Sequence, residues 1–502
     1  MKKIFIISAL IIQALCLVSC YKELGNYTYH AINELTITSI DTVNGYNAAF
    51  GDTLSISPVL TNSQTAGSSH TYSYQWSLYD QFKGDQVLST NKDLKIRIAQ
   101  LPGSYTLQYR VTDLTTGVLF HTHTTLLVRT DVYQGYMVLN EVDGNSRLDM
   151  LSYDQTSNKF TQYTDVLKKM GSSLPPQGQP YKVLCTRVRT AFNYSDSTYG
   201  IYLVTASGTN RIHPETFDWN PTYDIRYEVG GNIAPDFKAD NMIADPGSYY
   251  ICIFMVSDNN VYTRNGSVPQ YILPLNKYVG SPLFKVSPYV VSDAGQYTMF
   301  YNMDSHSFAM TTDLRATTMT DPPKADQTKG EIDYPTGGDL LFMDKTTVGY
   351  GYAVTKEPGG PDTLTKFLPG SVPVYKQQIQ GTDIDKATHF AVCANPEYLF
   401  YSVGGKVYEY DLYSRSSKLM LDKGPSEITY LAFDRFSHTS SYPNTYGQWA
   451  RWLTVGSYDP AGTAGANGTL EQYSVKDAND PLVFQRSWTG FGKIVSISYR
   501  ER

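Results

Sequence analysis

His389-Phe390-Ala391-Val392-Cys393-Ala394, Tyr398-Leu399-Phe400-Tyr401-Ser402-Val403, Lys406-Val407-Tyr408-Glu409-Tyr410-Asp411 and Lys418-Leu419-Met420-Leu421 are four short runs rich in aromatic and β-branched residues. Together they read as an inner strand, two middle strands and an outer strand of one antiparallel sheet, with Gly404-Gly405 as a hairpin turn. Similar apolar starts, each followed by a turn and a second strand, recur at 137, 202, 251, 299, 350, 398 and 452, in steps of 65, 49, 48, 51, 48 and 54. Seven units near fifty residues suit the blades of a β-propeller. An inner strand precedes every start except the first. Ile494-Val495-Ser496-Ile497-Ser498-Tyr499 matches Ile428-Thr429-Tyr430-Leu431-Ala432-Phe433 in pattern, so the C-terminal strand is expected to pair into the first blade and close the ring.

Upstream of residue 131 the texture is different. Leu35/Ile37, Leu54/Ile56, Tyr72/Tyr74/Trp76/Leu78, Leu94/Ile96/Ile98 and Tyr105/Leu107/Tyr109/Val111 alternate with polar residues, and Phe120, Thr122, Thr124 and Leu126 share one face of a last strand. Short half-buried strands at this spacing indicate a seven-strand-type β-sandwich of about 100 residues. Tyr74-Gln75-Trp76, Leu101-Pro102-Gly103-Ser104-Tyr105-Thr106-Leu107 and Val111-Thr112-Asp113 resemble a PKD domain, an Ig-like sandwich. The resemblance implies a fold and a spacer role with no chemistry attached. The blade at 389–421 resembles PQQ-type and WD-type propeller blades, and no cofactor motif accompanies it, so no cofactor is expected.

At the N-terminus, Lys2 and Lys3 precede an apolar run from Ile4 to Val18 broken only by Ser8 and Gln13. The run is shorter than the ~20 residues of a membrane-spanning helix. It ends in Leu17-Val18-Ser19-Cys20, which resembles the bacterial lipobox and implies that Cys20 is acylated and becomes the first mature residue. Two or more acyl chains hold a protein stably on a membrane. The expected organisation is therefore all-β: a signal peptide over 1–20, a tether over 21–33, a PKD-like β-sandwich over 34–130 and a seven-bladed propeller over 131–502. Without the signal, 39 Lys and Arg face 47 Asp and Glu, a net charge of −8. Such a surface argues against nucleic acid as a partner.

Cys185, Cys252 and Cys393 lie in apolar strand runs and read as small buried hydrophobes, with no metal or disulfide pattern. His121 and His123 share a strand face and lack a third ligand, so no metal is expected. Asp383-Ile384-Asp385 and Asp258-Asn259-Asn260 read as turns. The nucleophile-elbow, zincin, phosphate-loop and dinucleotide motifs are all missing, and the chain reads as non-catalytic. Asp339 and Asp434, at strand ends, are the carboxylates that a propeller hydrolase or lyase would place in its funnel. The candidate ligand-binding segment is the long insertion from Asp434 to Trp449, whose Arg435, His438, Tyr442, Tyr446 and Trp449 offer rigid amphipathic contact area. Asp333-Tyr334-Pro335-Thr336-Gly337-Gly338-Asp339 is a second, weaker loop of that kind.

Lipobox, tether, sandwich and tyrosine-rich propeller together resemble the PKD-like surface lipoproteins of Bacteroidota. That resemblance implies an outer-membrane lipoprotein facing the cell exterior, an accessory of a SusC-like TonB-dependent transporter and its SusD-like lipoprotein. It would bind or present oligopeptide in preference to glycan. An adhesive or structural propeller and a propeller hydrolase or lyase are the alternatives.

Overall fold

A computed structural model describes residues 33–49, 52–63, 70–79, 84–100, 103–129, 132–190, 193–231, 233–244, 252–265, 270–293, 296–313 and 315–501. Cys20, its signal sequence and nearly all of the expected tether lie outside the described residues. The chain divides into two units, residues 1–129 and 130–502.

In the first unit a five-stranded sheet runs in the order Tyr46–Ala49, Leu119–Arg129, Gly103–Asp113, Tyr72–Tyr79, Gln86–Ser89. Two strand pairs, Leu35–Thr38 with Val59–Asn62 and Thr53–Ile56 with Leu94–Arg97, supply the other side of the core. Alternation decides which residues go inside: Leu107, Tyr109 and Val111 are buried, while their neighbours are partly open. Trp76 stacks on Tyr109 with ring centroids 4.3 Å apart and donates its Nε1–H to the Lys92 carbonyl at 3.1 Å. Phe120, Thr122, Thr124 and Leu126 do share a face, and His121 and His123 point to solvent.

The second unit contains, among the described residues, seven antiparallel sheets in chain order. Sheet one takes Lys493–Arg500, Gly135–Val142, Asn145–Asp154 and Lys159–Tyr163 from the inside outward. Sheet two is Pro180–Thr190, Asn193–Thr205, Gly208–Ile212; sheet three is Asn241–Ala244, Ile253–Ser257, Asn260–Arg264; sheet four is Val291–Asp293, Tyr297–Asn302, Ser307–Thr311. Sheet five is Asp339–Lys345, Gly351–Lys356, Asp362–Phe367, Pro373–Gln378. Sheet six is His389–Ala394, Glu397–Val403, Lys406–Asp411, Ser416–Asp422, and sheet seven is Glu427–Phe433, Trp452–Tyr458, Gly468–Ser474, Val483–Phe491. Gly404, at φ +56°, makes the turn inside sheet six. A Cβ on Gly405 would come within 2.4 Å of the Ser426 carbonyl oxygen, so the next segment packs where a side chain would stand.

Packing closes these sheets into a ring. Seven apolar clusters each join two neighbouring sheets, and the last joins sheet seven back to sheet one. Met137 and Leu139 enter the cluster shared with sheet two, whereas Tyr136 and Val138 enter the one shared with sheet seven. Both faces of each sheet are therefore buried. This is the physical reason the strand starts read as continuous apolar runs here and as alternation in the sandwich. The C-terminal strand pairs antiparallel with Gly135–Val142 from Gly135↔Arg500 to Glu141↔Lys493, as its pattern implied. It also touches the inner strands of sheets two and seven. The amide N–H groups of Val183 and Cys185 donate to the Ser496 and Ser498 hydroxyls at 3.2 and 2.9 Å.

Candidate functional site

The inner strands of sheets five, six and seven end side by side, and the insertion between Phe433 and Trp452 begins there. Successive residues of the insertion turn to opposite sides. Asp434 turns into the interface of sheets seven and one, where its Oδ2 accepts from Thr454 Oγ1 at 3.2 Å and Gln472 Nε2 at 3.4 Å. Burial pushes this carboxyl up to about 6, with the Thr454 and Tyr136 hydroxyls and Arg486 opposing. Arg435 turns the other way and reaches past sheet six to Asp344 Oδ1 on sheet five, at 3.1 Å.

His438 is held from both ring nitrogens. Nδ1 lies 2.5 Å from Glu501 Oε2 and Nε2 lies 2.9 Å from Arg187 Nη2. A guanidinium can only donate, so Nε2 accepts and the Nδ1–H donates to the carboxylate. The backbone N–H groups of Ser437 and His438 also donate to Glu501, at 2.5 and 3.1 Å. Through Asp344, Arg187 and Glu501 the insertion is thus fastened to sheets five, two and one and lies across one mouth of the central channel. Lys182, on the inner strand of sheet two, is influenced by the Asp344–Arg435 pair. Burial holds its ammonium below the ordinary range, Asp344 opposing and Arg435 adding.

The aromatic residues of the insertion are used differently from the sequence expectation. Tyr446 and Trp449 are 2% and 4% exposed and belong to the cluster between sheets seven and one, so they offer no contact area to a ligand. Phe436 stacks on Tyr446 at 5.0 Å, and Trp449 packs edge-on to Tyr153 at 4.9 Å. The sequence does carry a signal for this. Tyr446 and Trp449 stand at i and i+3 of a short helix, Tyr446–Trp449, on one face with Trp452 just beyond. Arg435, His438 and Tyr442 keep part of their surface in solvent. In the weaker loop, Tyr334 is buried and donates to the Ser371 carbonyl at 2.8 Å.

Beside the insertion lies a cleft of about 120 Å³, lined by Asp344, Lys345, Cys393, Asn395, Arg435 and Arg451 among others. Apart from Arg435, and Cys393 read only as a buried hydrophobe, these residues were not singled out in the sequence, because they come from three sheets about fifty residues apart and share no local motif. Burial pushes the Cys393 thiol up to about 11, which keeps it protonated. Asp339 and Asp434 do not form a pair. They flank opposite ends of similarly directed inner strands, Asp339 exposed beside His306 at 3.1 Å and Asp434 buried.

Asp434 is linked to an arginine in an aromatic cage. The Arg486 guanidinium lies 4.2 Å from the Trp449 ring centre, 4.5 Å from Phe160, 4.9 Å from Trp452 and 5.2 Å from Trp488. Its Nε donates to Gln472 Oε1 at 2.6 Å, and Gln472 Nε2 reaches Asp434. Arg486→Ala is expected to lower stability by about 2–4 kcal/mol in urea unfolding, through lost cation–π contact and an unbalanced buried carboxyl. In an Asp434→Asn background the loss should shrink. An equal loss in both backgrounds would remove Asp434 from this account.

Residues 20–177 match the model of the PKD-like family, so the chain carries a PKD-like domain in its N-terminal part. No curated protein matches the chain in sequence. Among solved structures, a quinonprotein alcohol dehydrogenase-like protein from Bacteroides thetaiotaomicron VPI-5482 is similar at 12% identity and a TM-score of 0.40, over 94% of this chain and 100% of that one. The dihydro-heme d1 dehydrogenase NirN, in complex with DHE, is similar at 9% identity and a TM-score of 0.40, over 78% and 72%. YCF48 bound to D1 peptide is similar at 11% identity and a TM-score of 0.38, over 66% and 95%.

Proposed function

We propose that this chain is a non-catalytic interaction propeller, held on the outer membrane by acylated Cys20, that receives a peptide for a SusC-like transporter and its SusD-like partner. The observation that carries this reading is the channel mouth. An insertion is fastened across it by Arg435, His438 and Glu501, and an open cleft with charged and apolar walls lies beside it. Concave sites with a few convergent polar groups are where propellers and other repeat folds take ligands. The PKD-like sandwich suits a spacer, and a ring buried on both faces of every sheet suits a rigid platform. The separation of Asp339 from Asp434 disfavours the hydrolase reading, because general acid–base chemistry needs two groups facing one substrate.

The test is a mild-detergent capture of the full acylated protein from native outer membrane, read by mass spectrometry. A TonB-dependent transporter with its SusD-like lid is the expected companion. Recovery of the protein alone, from membranes where that transporter is present, would overturn the accessory role and favour the adhesive or structural reading.

A further inference from the structure

The cleft beside the insertion has a charge opposite to that of the whole chain, in which 41 Lys and Arg face 47 Asp and Glu. Its lining holds one carboxylate, Asp344, against the cations Lys345, Arg435 and Arg451. Two of these cations are already engaged. Lys345 Nζ donates to the Ser292 carbonyl at 2.6 Å, and Arg435 spends one edge on Asp344 at 3.1 Å. Arg451 is exposed and has no ion pair among the described residues. Arg451 lines the cleft, its charge is felt by the Cys393 thiol there, and its guanidinium makes no side-chain hydrogen bond among the described residues. Cys393 adds no negative charge, and Phe433 and Val392 give the cleft an apolar wall.

A cleft of about 120 Å³ exceeds the space of a single water several-fold and suits a small charged group with one short side chain beside it. A guanidinium matches a carboxylate in shape, since two parallel N–H donors meet two oxygens in one plane. We propose that this cleft takes the free C-terminal carboxylate of a peptide ending in a small apolar residue, clamped by Arg451. This assignment rests on the peptide-binding reading above and deepens it. Arg435, neutralised in part by Asp344, sets the depth to which the chain end enters. The apolar wall beside it receives the last side chain.

The experiment is isothermal calorimetry on the full chain with N-acetyl-trialanine as the free acid and as the C-terminal amide. The acid is expected to bind, and the amide to bind at least about tenfold more weakly, the usual effect of losing a charge-assisted hydrogen-bond pair. Arg451→Ala should weaken the acid by a similar factor, with Arg451→Lys falling between. Because Arg451 is exposed, an unchanged circular dichroism spectrum will separate loss of binding from loss of fold. Equal binding of acid and amide would overturn the carboxylate assignment and leave the peptide reading standing. So would an Arg451→Ala variant that binds as before. Binding of neither peptide, or of inorganic phosphate in their place, would overturn it as well, whereas the capture from native membrane decides the broader reading independently.

Discussion

Truncation before Lys493 is expected to abolish cooperative folding of the whole propeller unit, with residues 135–491 losing protection together. The strand removed is the inner strand of sheet one, and its residues serve three neighbours. Ile494, Ile497 and Tyr499 are 0%, 6% and 8% exposed in the cluster between sheets seven and one. Ser496 and Ser498 tie sheet two. Arg500, fully buried, donates to the Val132 carbonyl at 2.8 Å. Each buried isoleucine removed costs about 2–5 kcal/mol, and a domain has only about 5–15 kcal/mol in hand. The ladder to Gly135–Val142 is lost as well, which leaves the backbone donors and acceptors on that side of the strand without their partners. Thermal melting and limited proteolysis will read the outcome. An unchanged melting temperature in the truncated protein would show that the ring does not depend on its closure.

The second large effect is a dependence on pH built into sheet six. Glu409, on the strand Lys406–Asp411, is 1% exposed, and neither of its carboxyl oxygens has a hydrogen-bond partner among the described residues. Burial pushes its carboxyl up to about 8, Lys418 across the ladder opposing and Asp411 adding. Between the unfolded value of 4.5 and about 8 the folded state therefore holds a proton that the unfolded state has released. Stability is fullest at and below the lower value and falls as pH rises through the window, by a few kcal/mol at its upper end. Glu409→Gln carries a neutral amide at every pH. It should be more stable than the parent at pH 8 and lose the difference towards pH 4.5. Parallel stability curves for the two proteins in urea would show that Glu409 does not titrate in this way.

Much of the ring was legible because burial on both faces writes itself into the chain. Tyr398-Leu399-Phe400-Tyr401 and Tyr136-Met137-Val138-Leu139 are apolar without interruption because each residue meets one of two neighbouring sheets. The C-terminal strand was legible for the same reason. The short sandwich strands Tyr46–Ala49, Val59–Asn62 and Gln86–Ser89 were not, since each has only four residues and buries little of itself. Of the three aromatic residues that drew attention to the insertion, Tyr446 and Trp449 anchor it to the rim and Tyr442 stays exposed. What lines the cleft is the charged end of an inner strand, Asp344-Lys345, together with Arg435 and Arg451. Charges at strand ends look like ordinary turn residues until three sheets bring them to one place.

The closure of sheet one also sets a clock. Its outer three strands lie within residues 135–163 and its inner strand within 493–500. A ribosome adding about 5–20 residues per second needs about 15–65 s to travel between them. Throughout that interval the nascent propeller is an open arc whose strand Gly135–Val142 is paired on one side only. Any holding factor that recognises bare strand edges has that window in which to act, and it ends only when the last residues emerge.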